Sequence, residues 1–247
     1  MKKIIAFEIL ILFSSLLMAQ TPSAEEILNK IDENMVFDQA ISTSKMVIHG
    51  RIGDRTIESK SWSKGNDLAM VEYLSPPREA GTKMLKTVDK LWIYTPEPTD
   101  RIITISGHLL RQSVMGSDLS YEDITDNSSM IECYNAEVLG TETILDRECW
   151  VLELTAKKDD ISYYSRKIWV DTERLLPLKE ERFAKSGKLL KKTEILEVFK
   201  QDGRWLPKHM TFKDMLSHGK GTEYFIESID FNVDIPEYKF TKAALRR

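Results

Sequence analysis

Cysteine is almost missing from this chain: 247 residues carry two, Cys133 and Cys149. A disulfide-built scaffold is therefore excluded. The four histidines, His49, His108, His209 and His218, stand at no metal-ligand spacing from one another or from a cysteine, so the pattern calls for no zinc site and no other metal or cofactor. Phosphate-cradling and dinucleotide glycine motifs are missing as well. Gly116-Ser117-Asp118 does not complete a nucleophile elbow and reads as a helix start. Glu122-Asp123 are neighbours on one segment, which rarely converge on one substrate. Catalysis is not expected. An excess of positive charge is also lacking: the net charge is −4, and loss of residues 1–19 would make the remainder one unit more negative. That excludes nucleic acid as a partner and argues against whole-body electrostatic docking on anionic lipid.

Long apolar runs are confined to the N-terminus. Lys2-Lys3 precede an apolar stretch from Ile4 to Met18, interrupted by Glu8 and two serines, with Leu17-Met18-Ala19 before Gln20. This reads as a secretory signal peptide cleaved near Ala19, leaving a single domain over residues 20–247. The stretch is short of the roughly 20 residues a membrane span needs. The expected compartment is the periplasm. Export permits a disulfide. If the hairpin turns near Gly140-Thr141, Cys133 and Cys149 fall opposite each other and are a candidate pair; two unpaired small hydrophobes are the alternative.

What is present is strand and one good helix. Ser23-Ala24-Glu25-Glu26 has the form of a capping box. The helix it opens puts Ile27, Leu28, Ile31, Met35 and Val36 on one stripe. From Thr43 the period becomes two, with turn residues every 8–12 positions, giving ten to twelve antiparallel strands. Leu68–Leu74 and Leu91–Tyr94 do not alternate, so their sheet is covered on both faces or curls around an interior. Between Ser106 and Asp123, Leu109, Leu110, Val114 and Met115 recur at helical spacing, and Gly107 and Gly116 break the segment into pieces. The pattern is a mobile cover on a curved sheet. Ten methionines, five tryptophans and nine phenylalanines suit an apolar interior that adapts to an irregular ligand.

The residues that go further are Pro77 with Gly81-Thr82-Lys83-Met84-Leu85, then Leu91 to Pro96, and above all Met115-Gly116-Ser117-Asp118-Leu119-Ser120-Tyr121-Glu122-Asp123. Trp169-Val170-Asp171, Leu176-Pro177-Leu178-Lys179, Ile235-Pro236 and Phe240-Thr241 continue the pattern. Over nearly the whole chain beyond the leader the sequence resembles the LolA-like periplasmic proteins that sort outer-membrane lipoproteins, in the branch of spirochaetes and other diderms. The resemblance implies a mainly β fold: an unclosed, strongly curved antiparallel barrel of about eleven strands, with helices plugging the concave face. It implies a monomeric, non-enzymatic carrier of acylated lipoprotein or other lipid, with an inner-membrane transporter as a candidate partner. A lipid-binding sensor, an exporter-associated shuttle and a ligand-free envelope protein remain alternatives on the same fold. In the family an arginine fastens the lid; Arg101 and Arg111 are the candidates by proximity. Leu109, Leu110, Val114 and Met115 are expected to form the lid's apolar face, with Met70, Met84, Leu85, Trp92, Tyr94 and Ile103 lining the space beneath.

Overall fold

The computed structural model describes residues 21–35, 37–125, 129–159 and 161–247. The leader reading and the side chains of Met35 and Val36 lie outside the described residues.

The capping box forms. The Ser23 amide donates to Glu26 Oε2 at 2.8 Å, and the Glu26 amide donates to Ser23 Oγ at 3.2 Å. Two of the orphan donors of α1 (Ala24–Met35) are satisfied reciprocally. Thirteen strands then form one antiparallel sheet. They are β1 (Gln39–His49), β2 (Asp54–Lys64), β3 (Leu68–Ser75), β4 (Lys83–Lys86), β5 (Leu91–Thr95), β6 (Arg101–Ile105), β7 (Tyr134–Ile144), β8 (Arg147–Ala156), β9 (Ser165–Asp171), β10 (Pro177–Phe183), β11 (Leu189–Gln201), β12 (Arg204–Asp214) and β13 (Thr222–Asp230). Their spatial order runs from β6 back to β1, crosses to β13, and runs down to β7. Every pair of consecutive strands is adjacent except β6 and β7, which are the two edges, and the two meanders join at β1–β13. This is the unclosed curved barrel, with thirteen strands rather than about eleven.

Side-chain parity divides the sheet. On one face Met46, Tyr73, Met84 and Ile93 point the same way in successive strands of the first meander, and Leu152, Leu154, Ile168 and Val170 in the second. This concave face carries the covers. Ile27, Leu28 and Ile31 of α1, all at most 3% exposed, pack on Leu152, Leu154, Ile168 and Val170. Residues 107–125 cover the first meander as two short 3-10 turns, Gly107–Arg111 and Val114–Gly116, followed by α2 (Tyr121–Thr125). A further short helix, α3 (Met130–Cys133), leads into β7.

The opposite face of β2–β5 is closed by the C-terminal segment. Ile235, Phe240, Ala244 and Leu245, on irregular chain and two 3-10 turns, bury Met70 and Leu85. That second cover is why Leu68–Leu74 and Leu91–Tyr94 are apolar on both sides.

The Cys133–Cys149 pairing is overturned. The β7–β8 hairpin turns at Leu145-Asp146, both at positive φ, and not at Gly140. Gly140, at φ 148, sits where the register slips between Val138 and Gly140, so this glycine serves a bulge and not the turn. Cys149 therefore faces Glu142, while Cys133 lies beyond Tyr134, which faces Ala156. About eight residues of strand, roughly 26 Å, separate the two positions along β8, and both thiols are free.

Candidate functional site

A cavity of about 180 Å³ lies between the concave face of β1–β5 and the cover. Its floor combines bulky and small side chains. Met46, Ile57, Tyr73, Met84 and Leu91 stand around Ser59, Ser61 and Ala69, whose short side chains leave the space open. Val114, Leu119 and Ile124 form the roof, and Tyr224 of β13 closes one side. The lining is chiefly apolar. Its polar atoms are the hydroxyls of Ser59, Ser61, Thr125, Tyr73 and Tyr224 and the ammonium of Lys86, which donates to the Ile124 carbonyl at 3.4 Å. Burial pushes the Tyr73 hydroxyl well above its ordinary range, so it stays neutral.

Of the ten residues named from the sequence, Met84 and Val114 line this cavity. Ile103, Leu109, Leu110 and Met115 pack around the same cluster, half-buried against Met84, Leu91, Ile93 and Val114. Met70, Leu85, Trp92 and Tyr94 do not reach it. The registers Trp62–Met70, Met70–Leu85 and Leu85–Trp92 put them on the outer face, under the C-terminal segment. Strands apolar on both faces give no internal sign of which face holds the space.

The cover is held by polar contacts, and these explain the Gly116–Asp123 run. Asp118 is 7% exposed. Its Oδ2 accepts from the Thr222 hydroxyl at 2.8 Å, its Oδ1 accepts from the Asp214 amide at 2.9 Å and the Ser217 hydroxyl at 3.1 Å, and its amide donates to Thr222 Oγ1 at 3.0 Å. Lys191 donates to the Asp118 carbonyl at 2.7 Å. So Ser117-Asp118 is not a helix start. Ser120 is the cap of α2, donating its amide and hydroxyl to Asp123 Oδ2 at 2.8 and 2.7 Å.

Asp123 carries a second tie. Its Oδ1 accepts from the Tyr163 hydroxyl at 2.6 Å and from Arg182 Nη1 at 2.9 Å. Arg182 also donates to Glu180 at 2.8 Å, and Glu180 accepts from Arg166 at 3.3 Å. Burial alone would raise the Asp123 carboxyl. The Arg182 guanidinium and the bonds from Tyr163 and Ser120 outweigh it and hold the carboxyl below the ordinary carboxylate range. Glu180 is held low against its burial by Arg182 and Arg166 in the same way.

Arg101 and Arg111 are both exposed and fasten nothing of the cover. Two other arginines do: Arg182, and Arg55 at the start of β2, which donates to the Met115 carbonyl. Met115 (φ 52) and Gly116 (φ 74) form a left-handed elbow. A Cβ on Gly116 would lie 3.1 Å from the Arg55 guanidinium, so glycine serves both the φ and the room. Arg55 and Arg182 stand 60 and 59 residues from the groups they hold, a separation that no local spacing reveals. The one hint of Arg182 in sequence is Glu180 and Arg182, an opposite-charge pair on one face of a strand.

A lidded, unclosed antiparallel barrel with an apolar interior is the architecture of LolA-like proteins, and the comparisons agree. A family model described as an uncharacterized-protein-like family matches residues 65–247, and the chain belongs to that family. Its fold is similar to that of a DUF1329 family protein from Desulfovibrio piger (25% identity, TM-score 0.81), over 90% of this chain and 97% of that one. A structure described as an outer-membrane lipoprotein-sorting protein domain from Vibrio parahaemolyticus matches over the same shares, at 24% identity and TM-score 0.80. A LolA superfamily protein from Nitrosomonas europaea matches at 25% identity and TM-score 0.73, over 91% of this chain and all of that one. No curated protein matches the chain.

Proposed function

We propose that this protein is a periplasmic carrier that takes acyl chains of lipoproteins, or of other lipids, into the cavity beneath residues 107–125 and moves them toward the outer membrane. The observation that carries the reading is the apolar cavity roofed by a segment that joins a small apolar contact to polar ties on the sheet. Polar ties can be exchanged for water when that segment lifts.

Size decides how the site works. A cavity of about 150 Å³ holds one benzene-sized group, and pockets for larger ligands run from roughly 300 Å³ upward. At about 180 Å³ the space takes the tip of an acyl chain and not its length. Full entry therefore lifts the cover, and Leu109, Leu110, Val114 and Met115 exchange their contact with the sheet for contact with the chain. Burial from water would be worth about 0.8 kcal/mol per CH₂. Transfer between one hydrocarbon setting and another is nearly neutral, so the small difference between open and closed cover sets the direction. Such a carrier performs no bond chemistry, and an inner-membrane transporter would be its donor.

The test is uptake of an apolar fluorescent probe and its displacement by an added lipopeptide. Wild type takes up the probe; Val114→Glu, which places a charge in the roof, does not, while its unfolding transition is retained. Equal uptake by both would remove the cavity from the account. A wild type that takes up neither ligand would favour a filled envelope protein.

A further inference from the structure

One end of the sheet presents a feature that the cavity does not use. The β1–β2 turn (residues 50–53) and the β12–β13 turn (residues 215–221) are locked together. The His49 amide donates to the Gly221 carbonyl at 3.0 Å, and the Lys220 amide donates to the His49 carbonyl at 3.1 Å. The joined turns hold three apolar side chains out into solvent: Ile52 at 96% exposure, Leu216 at 56% and Met215 at 44%. An isoleucine left almost wholly in water contributes nothing to the fold, and a cluster of such residues on adjoining tips marks an interaction surface.

The flanking charges without an ion-pair partner among the described residues are positive. Arg51 and Lys220 are exposed and in no ion pair among the described residues. The acidic groups at the same end are engaged: Asp54 by His49 at 2.9 Å, Asp214 by Lys191 at 3.0 Å. The chain as a whole is net negative. The net negative charge of the chain disfavours docking on an anionic surface through the molecule at large, and these two cations favour this end.

The same turns hold the cover. Asp214 and Ser217 donate to Asp118, and Arg55, just past the β1–β2 turn, donates to the Met115 carbonyl at the left-handed elbow. Whatever docks on these tips stands beside the elbow and pulls on its ties.

We propose that the paired β1–β2 and β12–β13 turns are a membrane-docking end, in which Ile52, Met215 and Leu216 enter the interface of a bilayer containing anionic phospholipid while Arg51 and Lys220 meet its headgroups. The combination of shallow apolar insertion and a few cations is what interfacial binding requires. Docking there orients the elbow of the cover toward the lipid from which an acyl chain would come or to which it would go.

The test places an environment-sensitive fluorophore at Ile52→Cys in the full chain with Cys133→Ser. Cys149 is buried, with its thiol pushed up to about 11, and does not compete for label. Val88→Cys, 73% exposed in the β4–β5 turn at the other end of the sheet, is the control. On adding phosphatidylglycerol–phosphatidylcholine vesicles, the label at 52 shifts to the blue and the label at 88 does not. Arg51→Gln and Lys220→Gln each weaken that response about fivefold, and Leu216→Asp weakens it tenfold or more. No shift at 52, an equal shift at 88, or an equal response to pure phosphatidylcholine would overturn the proposal. A shift seen only with vesicles bearing membrane proteins would overturn it in favour of a protein partner. The readout is tip insertion and not acyl uptake, so this result and the carrier test stand or fall separately.

Discussion

The concave face is covered twice, and the two covers differ in how much apolar packing and how many polar ties hold them. Over the second meander, α1 sets Ile27, Leu28 and Ile31 into a bed of Leu152, Leu154, Ile168 and Val170. At roughly 1.5–3 kcal/mol for each fully buried aliphatic side chain, that contact alone fixes the helix in place. Over the first meander, the cover is short pieces of 3-10 turn and one five-residue helix, half-buried at Leu109, Leu110 and Met115 and standing over a space. Val114 and Tyr121 are its buried apolar contacts, and Asp118, Asp123, Arg55 and Arg182 add polar ties. Apolar packing holds α1 as a wall, and on the proposed reading the polar ties over an apolar gap let the other cover serve as a lid.

Breaking the latch at its centre should have the largest effect. Arg182→Met leaves Asp123 and Glu180 buried without their main partner, and removing one member of such a network costs about 3–5 kcal/mol. Urea unfolding would read that loss. Hydrogen exchange should show residues 107–125 opening further than α1 does; uniform opening of both covers would contradict the distinction between them. On the wall, Leu28→Ala should cost about 2–5 kcal/mol and leave probe uptake per folded molecule unchanged. If uptake falls as well, α1 belongs to the site.

Arg55→Gln removes one tie at the elbow while keeping a donor. A loss near 1 kcal/mol is expected, with faster probe exchange as the clearer sign. Last comes a charge effect at the seam of the two meanders. His49 donates from its ring nitrogens to Glu223 at 2.7 Å and Asp54 at 2.9 Å, while His209 reaches the other Glu223 oxygen at 2.6 Å. The bonds to Glu223 and Asp54 raise the His49 pKa above its ordinary value. Its contribution to stability is therefore complete below the unfolded value of about 6.5 and is lost as pH rises through the higher folded value. A melting series across that window should show a decline in wild type that His49→Gln flattens.

Much of the wall and the plan of the sheet could be read from sequence, because they rest on local rules. The capping box at Ser23 and Glu26, the apolar stripe of α1 and the period-two strands are visible within a few residues. The covering segment was visible through Gly107, Gly116 and the spacing of Leu109, Leu110, Val114 and Met115. Its ties were not, since Arg55, Arg182 and Thr222 come from strands far along the chain. The outer cover was also hidden. Ile235, Phe240, Ala244 and Leu245 follow no helical or strand period, so nothing in sequence says that they claim Met70, Leu85, Trp92 and Tyr94. Seeking large apolar side chains also pointed away from Ser59, Ser61 and Ala69, whose smallness makes the cavity.

The central claim is that the polar-latched cover encloses an acyl-chain site, and native mass spectrometry followed by organic extraction tests it most directly. Wild type should carry an acylated species, recovered in the extract, that Val114→Glu lacks while still folded. A bare mass for wild type that persists after incubation with added lipopeptide would contradict the account.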